Sequence, residues 1–243
     1  MKRKRIAVIT CFHGRPEISA VFMKSIAYLK ACVNFMDFKL FAAVTEGDTE
    51  NIDLCTRYSA DIALHDNRNL GDKWNVALNL CKEWKPDYVL IMGSDDLIAP
   101  ELILWYQREM HAGTDFFGVP DLFFHDTRTG QAVYFSYPPS KGRSVGAGRM
   151  ISAKALEACE WHLWPYSASS SLDLACQERL ETKGIHMRVC HVHRGMIIDL
   201  KSDTNIWNFD RFVSLDGSIP VTEQDAMWWL PPNLKKDVIK LRP

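Results

Sequence analysis

Five consecutive apolar residues, Tyr88-Val89-Leu90-Ile91-Met92, stop abruptly at Gly93-Ser94-Asp95-Asp96. A strand that is apolar on both faces has none to offer to water, so it belongs in the middle of a parallel sheet covered by helices. The chain before it agrees. Arg5 to Cys11 is a short β-branched strand broken by His13-Gly14-Arg15-Pro16. Pro16 suits the first turn of a helix, whose apolar stripe is Ile18, Val21, Phe22, Ile26 and Leu29. Phe38 to Thr45 is a second strand, ended by Glu46-Gly47-Asp48, and Asp61 to His65 a third. Asn67 to Gly71 is a turn, followed by a helix with Trp74, Ala77, Leu78 and Cys81 on one face, closed by Pro86. Pro100 opens the next helix. This alternation predicts an α/β, doubly wound sheet with helices on both faces. In such sheets ligands bind beyond the carboxyl ends of the strands. The polar clusters His13 to Arg15, Glu46 to Asp48 and Gly93 to Asp96 are therefore expected on one edge.

The second half is less regular. Phe116 to Val119, Leu122 to His125 and Ala132 to Ser136 read as short antiparallel strands, and Pro138 to Gly148 as a loop rich in Pro, Gly and Ser. Ser152 to Glu160 and Leu172 to Lys183 read as helices, the latter ended by Gly184. Ile185 to Cys190 and Met196 to Leu200 read as strands. No repeat, low-complexity block or linker divides the 243 residues, which predicts a single domain, 1–243.

Charge and composition narrow the function classes. With a formal net charge of -1, the chain as a whole does not call for nucleic acid, and its one dense basic run, Lys2-Arg3-Lys4-Arg5, reads as a solubilising start. No apolar run approaches the ~20 residues of a membrane helix, and no signal peptide is visible. Seven cysteines, with no C-x-x-C pair, argue against a cysteine zinc site and read as buried free thiols of a cytoplasmic protein. The P-loop, dinucleotide-binding, zinc-protease and nucleophile-elbow motifs are all absent.

Two adjacent acids at the end of an apolar strand repel each other in a crevice, and a divalent cation relieves the repulsion. Oxygen ligands suit Mg²⁺ or Mn²⁺. Alternatively, Asp96 caps the helix at Pro100. The run from Tyr88 through Asp95-Asp96-Leu97-Ile98-Ala99-Pro100-Glu101 resembles the metal-binding strand of A-type-fold nucleotide-sugar glycosyltransferases, in particular the large inverting family 2. It departs from that pattern at Gly93, where a first acid is usual, and the departure weakens the expected metal site.

The resemblance implies a glycosyltransferase A-type fold. The nucleotide-sugar-binding half would cover residues 1–112, and an acceptor half with a C-terminal segment 113–243. It implies Asp95 and Asp96 as metal ligands, completed by a late histidine, His193. As a strand, His191-Val192-His193 would send its two rings to opposite faces. Thr10 and Arg15 would lie near the nucleotide, and Glu46 or Asp48 would accept a hydrogen bond from the base. The segment Asn69-Leu70-Gly71-Asp72-Lys73 to Asn79 resembles the helix start that lies against the diphosphate, where free N–H groups and the helix dipole favour an anion and Lys73 adds charge. Asn69 or Asp72 would equally well cap that helix. Gly146-Ala147-Gly148-Arg149 resembles the segment before the acceptor helix, with Arg149 a further donor contact. Asp173 is the candidate general base for inverting transfer, although Ser170-Ser171-Leu172-Asp173 also fits a capping box. Asp199 and Lys201 follow, and a lysine there could close over diphosphate.

The function so implied is transfer of a sugar from a nucleotide-sugar, a UDP-sugar by preference, to a saccharide hydroxyl. A hydroxymethylated DNA base is a second acceptor, with Lys2 to Arg5 and the late tryptophans as DNA contacts. Two rivals differ in class. A nucleotidyltransferase would need a Gly-rich basic loop after the first strand, and Cys11-Phe12-His13-Gly14-Arg15 is poor in glycine. A non-catalytic sugar- or nucleotide-binding domain would have lost activity with the acid at Gly93.

Overall fold

A computed structural model describes residues 3–205 and 207–243. The elements run β1 (Arg5–Phe12), α1 (Pro16–Cys32), β2 (Asp37–Thr45), α2 (Thr49–Arg57), β3 (Asp61–His65), α3 (Leu70–Leu80), β4 (Tyr88–Ile91), β5 (Asp96–Ile98) and α4 (Pro100–Ala112). They continue with β6 (Phe116–Gly118), β7 (Asp121–Asp126), β8 (Ala132–Ser136), β9 (Arg149–Ser152), α5 (Ala153–Ala158), α6 (Leu172–Glu181), β10 (Arg188–Val189) and β11 (Ile197–Lys201). The last are α7 (Phe209–Val213), β12 (Ser218–Val221), α8 (Glu223–Ala226) and α9 (Pro232–Ile239).

Two sheets result. The larger has the order β10-β6-β9-β4-β1-β2-β3, and the smaller β12-β8-β7-β11-β5. β4 is the middle strand of seven, as its apolar run requires. β3, β2, β1 and β4 are mutually parallel, so the ends of β1, β2 and β4 share one edge. The alternation of β1 and β4 feeds two cores. Ile6, Val8, Tyr88, Leu90 and Met92 pack on one side with α1 and α4, while Ala7, Ile9, Val89 and Ile91 pack on the other with α3, α5 and α6. Each of the buried Ile, Val, Leu and Met side chains contributes on the order of 1.5–3 kcal/mol.

Several elements differ from the sequence reading. α2 starts at Asp48, whose carboxylate accepts from Asn51 N–H; a nine-residue helix between two close strands left no long stripe to see. β9 falls directly after the expected loop, at residues for which no strand was expected. It is only four residues long, opens on Arg149 and follows glycines, yet it pairs antiparallel with both β4 and β6. The large sheet therefore takes strands from both sides of residue 112. β6 joins this sheet, and only β7 and β8 form the expected antiparallel pair. The strand expected over Ile185 to Cys190 shrinks to Arg188–Val189, and His191 to His193 lies in no strand.

Of the basic run, Lys2 lies outside the described residues. Arg3 and Lys4 lie 3.7 and 3.6 Å from Asp37 and Asp87. They sit at the start of β1, on the edge opposite the acids. Among the described residues no helix is long and apolar enough to cross a membrane.

Candidate active site

β4 ends at Ile91 and the chain folds back within four residues. Gly93 N–H donates to Asp96 Oδ2 at 2.6 Å. A Cβ on residue 93 would meet Asp95 Oδ1 and Asp96 Oδ2 at 2.7 Å. The two carboxylates thus occupy the space that a side chain at position 93 would enter.

β5 then runs antiparallel to β11 with Asp96 directly opposite Asp199. Carboxylate oxygens of Asp95, Asp96 and Asp199 lie within 4.8 Å of one another. Two cations face them. Arg15 Nη1 lies 3.0 Å from Asp95 Oδ2, and its Nη2 donates to Ser94 Oγ at 3.1 Å. Lys201 Nζ lies 2.7 Å from Asp199 Oδ2, over the stacked rings of Phe124 and Phe212. Asn205 Nδ2 donates to Asp95 Oδ2 at 2.6 Å.

The electrostatics separate the three acids. Burial works to raise Asp95, but Arg15 and Lys201 outweigh it and hold the carboxyl below its ordinary value. Burial, with Asp199 and Asp95 adding to it, pushes Asp96 well above the carboxylate range. Burial pushes Asp199 up to about 6 against the pull of Lys201. Burial alone would lower Lys201, yet Asp199 and Asp95 raise it. Asp199 Oδ1 is buried and has no partner among the described residues. An orphaned carboxylate oxygen in a set of hard oxygen donors fits a divalent cation.

Arg15 reaches Asp95 from a strained turn. It has φ 53 and ψ 48 immediately before Pro16, and Gly14 before it has φ 56. A non-glycine residue held in this region costs on the order of 1–3 kcal/mol, a cost typical of functional sites. Asp48 holds the turn, accepting from Gly14 N–H at 2.8 Å.

The other sequence-derived candidates divide clearly. Glu46 is exposed at the end of β2, on the same edge as the acids. Thr10 is fully buried, with Oγ1 unpartnered among the described residues. Lys73 is fully buried and gives its ammonium protons to Phe12 O, Thr45 Oγ1 and Asn67 Oδ1 at 2.6, 2.6 and 2.8 Å. It ties β1, β2 and the 67–71 turn together beneath the edge, and points at no open space. Gly71 N–H donates to Ala168 O at 2.7 Å, so a loop already occupies part of the α3 start. Neither Asn69 nor Asp72 caps α3: Asn69 makes no side-chain cap bond, and Asp72 meets His65 Nε2 at 3.1 Å. Arg149 is buried, its guanidinium spent on Ser144, Val145 and the Asp173 carbonyl.

Gly148 N–H donates to Ile91 O at 2.8 Å, so the loop before β9 crosses the end of β4. Asp173, exposed in the first turn of α6, lies against this loop: a Cβ on Gly146 would be 2.0 Å from its Oδ1. The capping box is not formed, because Ser171 has φ 54 and no side-chain cap bond. His193 is not brought to the acids. It packs edge-on to Trp105, 6.1 Å between centroids, and Asp199 stands in the cluster instead. The signal for Asp199 was present in Ile197-Ile198-Asp199-Leu200-Lys201, where two opposite charges share one face of an apolar strand.

No protein-family model matches the sequence, and no curated protein matches it. The structure is similar to three crystal structures of S. aureus TarS 1-349, all at 13% identity. The first, of TarS 1-349, has TM-score 0.55 over 81% of this chain and 60% of that one. One is in complex with UDP-GlcNAc, with TM-score 0.59 over 97% and 70%. One is in complex with UDP, with TM-score 0.56 over 82% and 61%. This chain thus spans only about 60–70% of the length of those chains. What is shared is the fold, the glycosyltransferase A-type α/β fold that the sequence resemblance implied.

Proposed function

We propose that this chain is a glycosyltransferase that moves a sugar from a nucleotide-sugar to an acceptor hydroxyl. The observation that carries this reading is the cluster of Asp95, Asp96 and Asp199 at the carboxyl edge of the sheet, held open by Arg15 and Lys201. The UDP and UDP-GlcNAc complexes of the structural neighbours support a uridine-linked donor.

Each residue then has a task. Asp95, Asp96 and Asp199 would hold Mn²⁺ or Mg²⁺, which when bound neutralises charge on the leaving diphosphate. Arg15, already at the edge, offers its guanidinium to the same phosphates. Lys201 keeps Asp199 anionic. Glu46 accepts a hydrogen bond from the base, while Asp48 fixes the turn that carries Arg15. Asp173, exposed beside the loop that crosses β4, removes the acceptor proton as the hydroxyl attacks the anomeric carbon from the side opposite the nucleoside diphosphate, which leaves in an inverting displacement. A saccharide is the preferred acceptor: of the features that would suit DNA, Arg3 and Lys4 of the basic start lie on the edge opposite the acids.

A thermal-shift series with UDP, UDP-GlcNAc and UDP-glucose, each with and without Mn²⁺, tests this. Stabilisation by at least one UDP ligand, enhanced by Mn²⁺ and lost in Asp95→Ala, is expected. A wild-type protein indifferent to every UDP ligand overturns the reading, and a Mn²⁺ effect that survives Asp95→Ala overturns the metal assignment.

A further inference from the structure

The small sheet has a second concavity, on its other face. Side chains alternate along β7 and β11. Asp199, in register with Phe124, faces the acid cluster, and Phe123, in register with Ile198, faces away. A cavity of about 390 Å³ opens on that side, lined by Phe123, Arg194, Val221, Asp225 and Trp228.

Its chemistry is specific. Trp228 is 48% exposed, whereas Trp229 beside it is buried. Asp225 receives one hydrogen bond on Oδ2, from Thr222 Oγ1 at 2.6 Å. Arg194 lies with its guanidinium 3.9 Å from the centre of the Tyr134 ring. Among the described residues none of its N–H groups has a hydrogen-bond partner.

The turn presenting Arg194 is fixed from two sides. Gly195 N–H donates to Asp121 Oδ2 at 3.1 Å, and Gly195 O accepts from Trp229 Nε1 at 3.2 Å. Asp121 Oδ2 also accepts from Tyr134 Oη at 2.8 Å, which fixes the ring under the guanidinium. These bonds fix the backbone next to Arg194 and the ring beneath its guanidinium, which lowers the ordering cost of binding there.

We propose that this concavity binds a neutral oligosaccharide, with the apolar C–H face of a pyranose against Trp228 and its hydroxyls on Arg194 and Asp225. An aromatic face with a few convergent polar groups is the usual make-up of a small-molecule site. Guanidinium supplies donors and carboxylate supplies acceptors, which together satisfy hydroxyl groups. The single positive and single negative charge cancel, so the site has no electrostatic preference for a phosphorylated ligand. This inference rests on the proposed glycosyltransferase activity for its purpose: it holds units of a glycan acceptor remote from the hydroxyl that reacts.

Binding of cellohexaose, chitohexaose and maltohexaose, which span equatorially and axially linked chains, is measured by saturation-transfer NMR and titration. At least one is expected to bind, and about tenfold more weakly to Trp228→Ala. Asp225→Asn and Arg194→Gln are also expected to weaken it, while Trp228→Phe retains it and serves if Trp228→Ala does not fold. UDP binding should be unchanged in all four. The inference is overturned if none of the three hexasaccharides binds, if Trp228→Ala binds as tightly as wild type, or if inorganic tripolyphosphate displaces the sugar. The two readings fail separately: Asp95→Ala removes donor binding and leaves hexasaccharide binding, and a wild type that ignores UDP but binds a hexasaccharide sinks only the donor reading.

Discussion

Arg15 and Lys73 show how two basic residues with similar prospects in the sequence acquire different tasks. Both were expected to meet the donor, Arg15 near the nucleotide and Lys73 at the helix start against the diphosphate. Arg15 is lifted to the edge by its left-handed turn and meets Asp95. Lys73 is buried, and burial pushes its ammonium below the ordinary lysine value. Replacing Lys73 by Met removes a donor from the Phe12 carbonyl, which keeps the Thr45 hydroxyl at 3.2 Å, and from Thr45 Oγ1 and Asn67 Oδ1. The expected loss is roughly 2–4 kcal/mol in urea unfolding; a loss under about 0.5 kcal/mol would show that Lys73 is not a strut. Arg15→Gln should instead leave folding intact and lower UDP affinity about tenfold, read by calorimetry. Asp95 and Asp96 were legible because a local pattern, apolar strand then acids, reveals them. Asp199 was not, because its membership depends on a cross-strand partner more than a hundred residues earlier.

Among the elements, those with a local period came out within a residue or two: β1, α1, β2, β3 and β4, while α3 starts where expected but ends at Leu80 rather than at Pro86. β9 and β10 did not, since two to four residues carry no period and their pairing is long-range. β9 nevertheless sets the active edge, because it continues from the loop that lies against Asp173. Gly146→Ala forces a Cβ into the space of that carboxylate. Asp173 is exposed and can swing away, so stability should change little. kcat should fall at least about tenfold, with KM for the donor nearly unchanged, if Asp173 is the base. A variant with wild-type kcat would remove Asp173 from that role.

For the molecule as a whole, two measurements probe how the parts are packed. His125 on β7 is fully buried, and burial pushes its imidazole below 6.5 against the opposing hydrogen bond to Glu223 at 2.8 Å. Above pH 6.5 both folded and unfolded histidine are neutral and the site is indifferent to pH. As pH falls below that value the unfolded chain takes up a proton that the folded one resists, and stability is lost. Asp96 and Asp199, pushed up, act in the opposite sense, so the contribution is read as a difference. Between pH 7 and 5, wild type should lose more, or gain less, melting temperature than His125→Gln; parallel curves would contradict this. The thiols are the second probe. Cys32 is exposed, while Cys55, Cys81, Cys176 and Cys190 are buried, and burial pushes each of these four up to about 12. One thiol should react rapidly with a disulfide reagent at pH 8 in the native protein, and all seven after unfolding.

The position of β11 also bears on how the chain is made. The strand that supplies Asp199 and Lys201 lies in the last fifth of the sequence, yet it pairs with β5 near residue 97. A ribosome therefore releases Asp95 and Asp96 long before the strand that partners them emerges. Of the two cations that face these acids in the finished fold, Arg15 is made before them and Lys201 about a hundred residues after them.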